Sequence, residues 1–271
     1  MKKNLDYLHR KKQTGAKITM LTCYDYPTAR LQEEAGLDVI FVGDSVGPNE
    51  LGFKHEVEVS LDDILHHLKA VRRGVEQAYL LADLPFGTYA SPEAALTAAR
   101  KLIDHGADGV KLEGPEAEIA ACLAQHGYEV WGHLGYNPQR HEKAAVQGKR
   151  FDTAKALAED AIALQQAGAQ MLVLELVPEE LAQLITEQLS IPTIGIGAGR
   201  YTDGQVLIVQ DMLGITPRPF RHAKHFARLG EQMLHAFREY AREVESGVFP
   251  EPVHARNMQE DELLKVKAYF N

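Results

Sequence analysis

Four acidic residues each stand directly after, or at the end of, a short apolar run: Val42-Gly43 leads to Asp44, Leu81-Ala82 to Asp83, Val110-Lys111-Leu112 to Glu113 and Val173-Leu174 to Glu175. A fifth run, Glu129–Trp131, leads through Gly132 to His133. Carboxylates held close together repel one another unless a cation or a raised pKa relieves them. An all-oxygen set of Asp44, Asp83 and Glu113 selects a hard divalent ion such as Mg²⁺, which keeps waters and leaves positions open for a substrate. Lys111 lies two residues before Glu113, so in a strand both face one side. There it would hold a substrate carboxylate or a developing enolate oxygen. A Schiff-base role is the alternative, made redundant by a neighbouring divalent cation. Glu175, apart from the trio in chain order, suits proton abstraction beside the carbonyl of a metal-bound α-keto acid. A lone acid at a strand end can as easily cap the next helix or pair with a surface lysine. Four acids, a lysine and a histidine on one rim are harder to account for that way.

The elements must bring these residues together. A helical stretch that ends at Gly, then an apolar run, recurs at Gly36, Gly106 and Gly168. Gly just past a helix supplies the left-handed residue that turns the chain back, and unbroken apolar runs are the mark of strands buried on both faces. Eight runs are expected as strands: Ile18–Cys23, Val39–Val42, Tyr79–Ala82, Gly109–Leu112, Glu129–Trp131, Met171–Leu174, Pro192–Ile196 and Val206–Val209. Helices are expected over Leu61–Arg73, Ser91–His105, Asp152–Ala167 and Pro178–Leu189, the second opened by a Ser N-cap and a first-turn Pro. Eight alternations imply an α/β chain folded as a (β/α)₈ TIM barrel, whose strand C-termini form one rim. One domain is expected across residues 1–271, with about 220–271 a helical extension. The long 45–60 loop is expected to be functional or mobile.

The chain has 271 residues, 45% hydrophobic and 25% charged, with a formal charge of −9. That balance argues against nucleic-acid and membrane-surface partners. Two cysteines, Cys23 and Cys122, in no metal-ligand spacing fit a reducing compartment. The basic stretch to Lys17 lacks the apolar core of a signal peptide, and no apolar run reaches the ~18 residues of a membrane span. The expectation is a cytoplasmic protein. Gly195-Ile196-Gly197-Ala198-Gly199 lacks the spacing of a dinucleotide loop. His66 and His67 lie on an amphipathic helix, and His222 and His225 in a basic tail, so all four are expected to be structural or exposed.

At these residues the sequence resembles the ketopantoate hydroxymethyltransferases. The resemblance is carried by Thr22-Cys23-Tyr24-Asp25-Tyr26, Val42-Gly43-Asp44-Ser45, Ala70-Val71-Arg72-Arg73-Gly74 and Leu81-Ala82-Asp83-Leu84-Pro85-Phe86. It continues through Val110-Lys111-Leu112-Glu113-Gly114, Gly132-His133-Leu134-Gly135, Leu174-Glu175 and Ile194-Gly195-Ile196-Gly197-Ala198-Gly199. Thr202-Asp203-Gly204-Gln205 and Val244-Glu245-Ser246-Gly247-Val248 complete it. The resemblance implies one Mg²⁺ per subunit on Asp44, Asp83 and Glu113. It implies Ser45, Asp83, Lys111 and His133 at the substrate, and Glu175 as general base. The implied reaction moves a hydroxymethyl group from 5,10-methylenetetrahydrofolate to 3-methyl-2-oxobutanoate, giving 2-dehydropantoate in pantothenate and coenzyme A biosynthesis. A homo-oligomer is implied, a decamer with C-terminal segments in its contacts. The sequence departs from the family's usual pattern in the 46–60 and 136–148 loops, both on the rim. Alternatives of other kinds are a lyase of the phosphoenolpyruvate mutase and isocitrate lyase type, which carries a reactive loop cysteine, and a non-catalytic paralogue.

Overall fold

The computed structural model describes residues 2–141, 143–216 and 220–271, so all of the 136–148 loop except Glu142. Helix α1 (Leu5–Thr14) precedes β1 (Ile18–Thr22), and α2 (Tyr26–Glu34) leads to β2 (Val39–Val42). Then follow α3 (Leu61–Arg72), β3 (Tyr79–Asp83), α4 (Pro92–Asp104), β4 (Gly109–Glu113), α5 (Ala117–Gln125) and β5 (Val130–Gly135). The second half adds α6 (Phe151–Gln166), β6 (Met171–Glu175), α7 (Glu179–Gln188), β7 (Thr193–Ile196) and β8 (Gly204–Leu207). Beyond the last strand come α8 (Val209–Met212), α9 (Leu229–Glu245) and α10 (Glu260–Phe270). All eight strands pair in parallel and in chain order, and β8 closes on β1. This is the expected (β/α)₈ barrel with extra C-terminal helices. No helix among the described residues is long and apolar enough to cross a membrane.

The helix starts follow their local chemistry. Ser91 accepts a hydrogen bond from the Ala94 N–H ahead of Pro92, and Ser60 and Asp63 cap α3 reciprocally, each satisfying amides that a helix start leaves open. One strand is displaced. The apolar run Val206–Val209 is expected as β8, but the strand begins at Gly204, opposite Ile18, and Val209 already opens α8. Hydrophobicity marked the run, whereas the parallel register with β1 selects Gly204 and Gln205 despite their lack of apolar character. Strand β5 likewise runs on to Gly135 rather than stopping at Trp131.

Inside the barrel the inward residues climb in layers. Val39 and Phe41, Tyr79 and Leu81, Met171 and Val173, Ile194 and Ile196 pack with Trp131 as one buried cluster. Continuing each strand by its period of two brings Asp83 above Leu81, His133 above Trp131 and Glu175 above Val173. Tyr79 fills the lower layer so fully that a Cβ on Gly109 would stand 2.1 Å from its hydroxyl. Glycine there is a packing requirement.

From below, α1 closes the barrel. Its Leu8 is fully buried in the same interior cluster. Around it three aspartates, each one residue ahead of a strand, share one device. Asp38 accepts from the Thr19 N–H, Asp108 from the Leu80 N–H and Asp203 from the Thr193 N–H. Lysines from the N-terminal segment then pair with them: Lys11 with Asp38 at 2.5 Å, Lys2 with Asp108 at 2.5 Å and Lys12 with Asp203 at 2.8 Å. Burial alone would raise the Asp38 carboxyl, but bonds from Lys11, the Thr19 amide and Tyr7 hold it at about 2.

Candidate active site

The upper rim gathers the residues singled out by their strand-end positions. Asp44, Asp83, Lys111, Glu113 and His133 are each at most 4% exposed. With Ser45 and Glu175 they line one cavity of about 890 Å³, open solvent at its mouth included. Asp83, Glu113 and Glu175 are the last residues of β3, β4 and the sixth strand, respectively, and Asp44 lies two residues past β2. The strand ends thus converge from positions 44 to 175.

Their contacts form one network. Lys111 Nζ lies 2.8 Å from Asp83 Oδ1 and 3.4 Å from Glu113 Oε1. The Asp44 N–H donates to Asp83 Oδ2 at 2.9 Å. His133 Nδ1 is 3.0 Å from Glu113 Oε1, and its Nε2 is 3.2 Å from Glu175 Oε2, too oblique for a hydrogen bond. The expected separation of Glu175 from the three acids is therefore bridged by one imidazole. Ser45 Oγ lies 2.7 Å from the Tyr24 hydroxyl. Gly135, at the end of β5, has φ +99°, and a Cβ there would meet the Glu175 carbonyl at 2.1 Å, so only glycine lets β5 and β6 approach beneath the general-base candidate.

Burial and crowding set the charges. Burial first, then the charges of Asp83 and Glu113, push the Asp44 carboxyl well above its usual range against the pull of Lys111 and Gln139. Asp83 is also raised, by burial and by Glu113, with Lys111 opposing. For Lys111 burial favours the neutral amine, but Asp83, Glu113 and Asp44 outweigh it and raise its pKa. Glu113 goes the other way: Lys111 and His133 overcome burial and lower it. His133 is raised by Glu113 and Glu175 against burial and Lys111. Three carboxylates here face one ammonium and one imidazole, and Asp44 carries the shortfall of positive charge.

Among the described residues, no three acid, histidine or cysteine side chains surround a common point as they stand. Lys111 and Gln139 occupy the donor positions instead, with Gln139 Nε2 2.7 Å from Asp44 Oδ2 and its N–H 3.1 Å from Glu113 Oε2. The donor chemistry nevertheless fits a hard divalent cation. The buried carboxylate oxygens of Asp44, Asp83 and Glu113 dominate the site, and Asp83 Oδ1 is met only by the Lys111 ammonium at 2.8 Å, outside hydrogen-bond geometry.

Other residues at the site escaped the sequence reading. Gln139, on the 136–148 loop, hydrogen-bonds Asp44, the Leu84 carbonyl and Glu113, and accepts from Tyr89 at 2.5 Å. Asn49, Glu56 and Tyr136 also line the cavity. His222, expected to be structural or exposed, instead forms part of its wall, because the chain after α8 folds back over the mouth. His67 does keep a structural bond, 2.7 Å from the Tyr24 carbonyl.

A sequence profile described as ketopantoate hydroxymethyltransferase matches residues 2–252. The chain belongs to the ketopantoate hydroxymethyltransferase family. Within it, the 3-methyl-2-oxobutanoate hydroxymethyltransferase of Chloroflexus aurantiacus is 47% identical over 262 residues, covering 94% of this chain and 93% of the relative. That of Thermus thermophilus is 46% identical over 249 residues, 89% and 95% of the two chains. Solved structures with the same fold include a phosphonopyruvate hydrolase complexed with oxalate and Mg²⁺ (TM-score 0.63, 12% identity, 100% and 97% coverage). Another is 2,3-dimethylmalate lyase (TM-score 0.59, 16% identity, 100% of both chains). Like the rest of the family, the chain is an enzyme.

Proposed function

We propose that the chain transfers a hydroxymethyl group from 5,10-methylenetetrahydrofolate to 3-methyl-2-oxobutanoate, giving 2-dehydropantoate. The observation that supports this reading most is the meeting of Asp44, Asp83, Lys111, Glu113, His133 and Glu175 in one buried cavity of a chain from this family. Asp44, Asp83 and Glu113 are the residues that would hold Mg²⁺. When bound there, the ion would act as a Lewis acid toward the oxo acid's oxygens.

This chain's own groups supply the rest. Lys111, kept charged by its three acids, offers an ammonium to the substrate's carboxylate or to the negative charge that develops on the keto oxygen. Ser45, fixed by Tyr24, adds a hydroxyl at the same end. Glu175 takes the proton from C3, the carbon beside the carbonyl, and the electron pair left on C3 forms the new C–C bond with the one-carbon unit. His133, in contact with both Glu113 and Glu175, helps to keep the base in place. Over the whole reaction, water supplies the hydroxyl oxygen and tetrahydrofolate leaves.

The lyase reading has weaker support, because its chemistry calls for a reactive cysteine on a mobile loop. Cys23 is fully buried, which pushes its thiol up to about 12, and Cys122 lies on α5. A homo-oligomer, decameric by resemblance, is supported by the exposed Met233, Leu234, Phe237 and Tyr240 of α9. Cytoplasmic residence is supported by two free cysteines.

The test is proton exchange. With Mg²⁺ and 3-methyl-2-oxobutanoate in D₂O, and no folate, the C3 proton signal should fade by NMR. The Glu175→Gln variant should slow the exchange by ~10²–10⁴-fold. Absence of exchange with any divalent metal overturns the reading. Adding methylenetetrahydrofolate and assaying 2-dehydropantoate then tests the donor.

A further inference from the structure

The two sides of the cavity differ in chemistry. Asp44, Asp83, Lys111 and Glu113 crowd the side at the C-terminal ends of β2 to β4. The opposite side, above β7 and β8, is apolar: Ile196, Val206 and Ile208 form its wall. The chain returning after α8 adds Phe220, whose ring stacks on His222 with centroids 5.5 Å apart and planes 17° apart.

Among the described residues, one buried acid faces this apolar half. Asp211, in the short helix after β8, lines the cavity and is 2% exposed. Its Oδ1 has no hydrogen-bond partner among the described residues. Leaving a buried acceptor unmatched is costly, so such an atom calls for an explanation. Burial raises the Asp211 carboxyl, while a Thr216 hydrogen bond and the charges of His222 and His225 pull it back. Among the described residues no lysine or arginine forms an ion pair with Asp211, unlike the acids of the buried Lys111–Asp83, Lys11–Asp38 and Lys12–Asp203 pairs. An unmatched carboxylate oxygen beside apolar and aromatic walls suits one kind of ligand edge. That edge is flat and presents adjacent N–H donors, and its faces stack against rings.

We propose that Asp211, flanked by Phe220 and His222, is the docking point for the one-carbon donor's reduced pterin. Asp211 Oδ1 accepts from the N3–H and 2-amino edge of its 2-amino-4-oxopyrimidine ring. The inference rests on the hydroxymethyl-transfer reading and deepens it. It places the two substrates on opposite sides of one cavity, the oxo acid beside the ends of β2 to β4 and the pterin beside those of β7 and β8, with the one-carbon unit between them. No residue is shared between the two subsites, so their affinities are separable by substitution.

Calorimetry on the full-length, Mg²⁺-loaded chain provides the test, with tetrahydrofolate, its 2-desamino analogue and 3-methyl-2-oxobutanoate as ligands. Asp211→Asn is expected to raise the tetrahydrofolate Kd ~10–100-fold, the usual cost of a hydrogen bond to a charged group. The Kd of the oxo acid should change far less. For the unsubstituted chain, the 2-desamino analogue should bind ~10-fold more weakly than tetrahydrofolate, a comparison that needs no variant to fold. Phe220→Ala, at an exposed position, should weaken tetrahydrofolate by several-fold through lost stacking. Equal affinity for the two folates, or an equal loss of both substrates in Asp211→Asn, overturns the proposal. Oxo-acid exchange that persists while tetrahydrofolate ignores Asp211→Asn removes the pterin site alone. Tetrahydrofolate binding that depends on Asp211 without any oxo-acid exchange removes the oxo-acid reading instead.

Discussion

The two ends of the barrel use the same residue type to opposite effect. At the lower end Asp38, Asp108 and Asp203 each receive a strand amide and a lysine, and Asp38 falls to about 2. At the upper end Asp44 and Asp83 share Lys111 with Glu113, and both rise. Burial and partners together separate them: burial is the largest cause of the rise at Asp44, opposed only by Lys111 and Gln139, whereas at Asp38 Lys11, the Thr19 amide and Tyr7 outweigh it. Acids matched by donors stabilise the fold. Acids crowded beyond their donors hold charge ready for something that arrives later.

Substitutions at the two ends should therefore fail in different ways. The largest effect belongs to the upper end: Glu175→Gln should slow C3 exchange by ~10²–10⁴-fold, the usual scale for a general base. Its melting temperature should stay close to that of the unsubstituted chain. A fall in stability comparable to the fall in rate would erase the distinction. At the lower end, Asp38→Ala should cost ~3–5 kcal/mol by stranding Lys11 and Lys3 in a half-buried site, while activity per folded molecule persists. Denaturant titration read beside a specific-activity assay checks both halves.

The lower end should also carry a pH signature. Asp38 is depressed from its ordinary value near 3.8 to about 2. A carboxyl shifted down binds its proton more readily in the unfolded chain, so it stabilises above the unfolded value and loses that contribution as pH falls through about 2. The shift corresponds to ~2–3 kcal/mol. Asp38→Asn should flatten that part of the stability curve between pH 4 and 2. The smallest effect returns to the upper end. Asp44→Asn should stabilise the metal-free protein by ~1 kcal/mol, by removing one of the crowded charges. It should also cancel the rise in melting temperature that Mg²⁺ gives. A clear loss of metal-free stability in Asp44→Asn would show that this acid is structural after all.

The upper-end acids were legible because the pattern that exposes them is local: an apolar run announces a strand, and its last residue is read directly. Strand period then placed Lys111 beside Glu113 without any tertiary information. The lower-end pairs were not legible, since Lys12 meets Asp203 across 191 residues and a basic N-terminal stretch looks the same whether it is solvated or docked. Asp211 went unremarked although the expected strand Val206–Val209 ends two residues before it, the spacing of Asp44 from Val42; the strand itself ends at Leu207, and Asp211 stands in the short helix that follows. Gln139 gave no signal at all. Its role comes from loop closure onto three other elements, and a lone glutamine in a loop carries no periodicity.

The Lys12–Asp203 pair also fixes an order in time. Ribosomes add about 5–20 residues per second, so the lysine waits roughly 10–40 s for an aspartate made 191 residues later. Until then Ile18 has no strand on its outer side, and the interior under Leu8 stays open along one seam. A chain cut short before Gly204 keeps seven strands and most of the charged rim, yet has lost the clasp that turns a sheet into a cylinder.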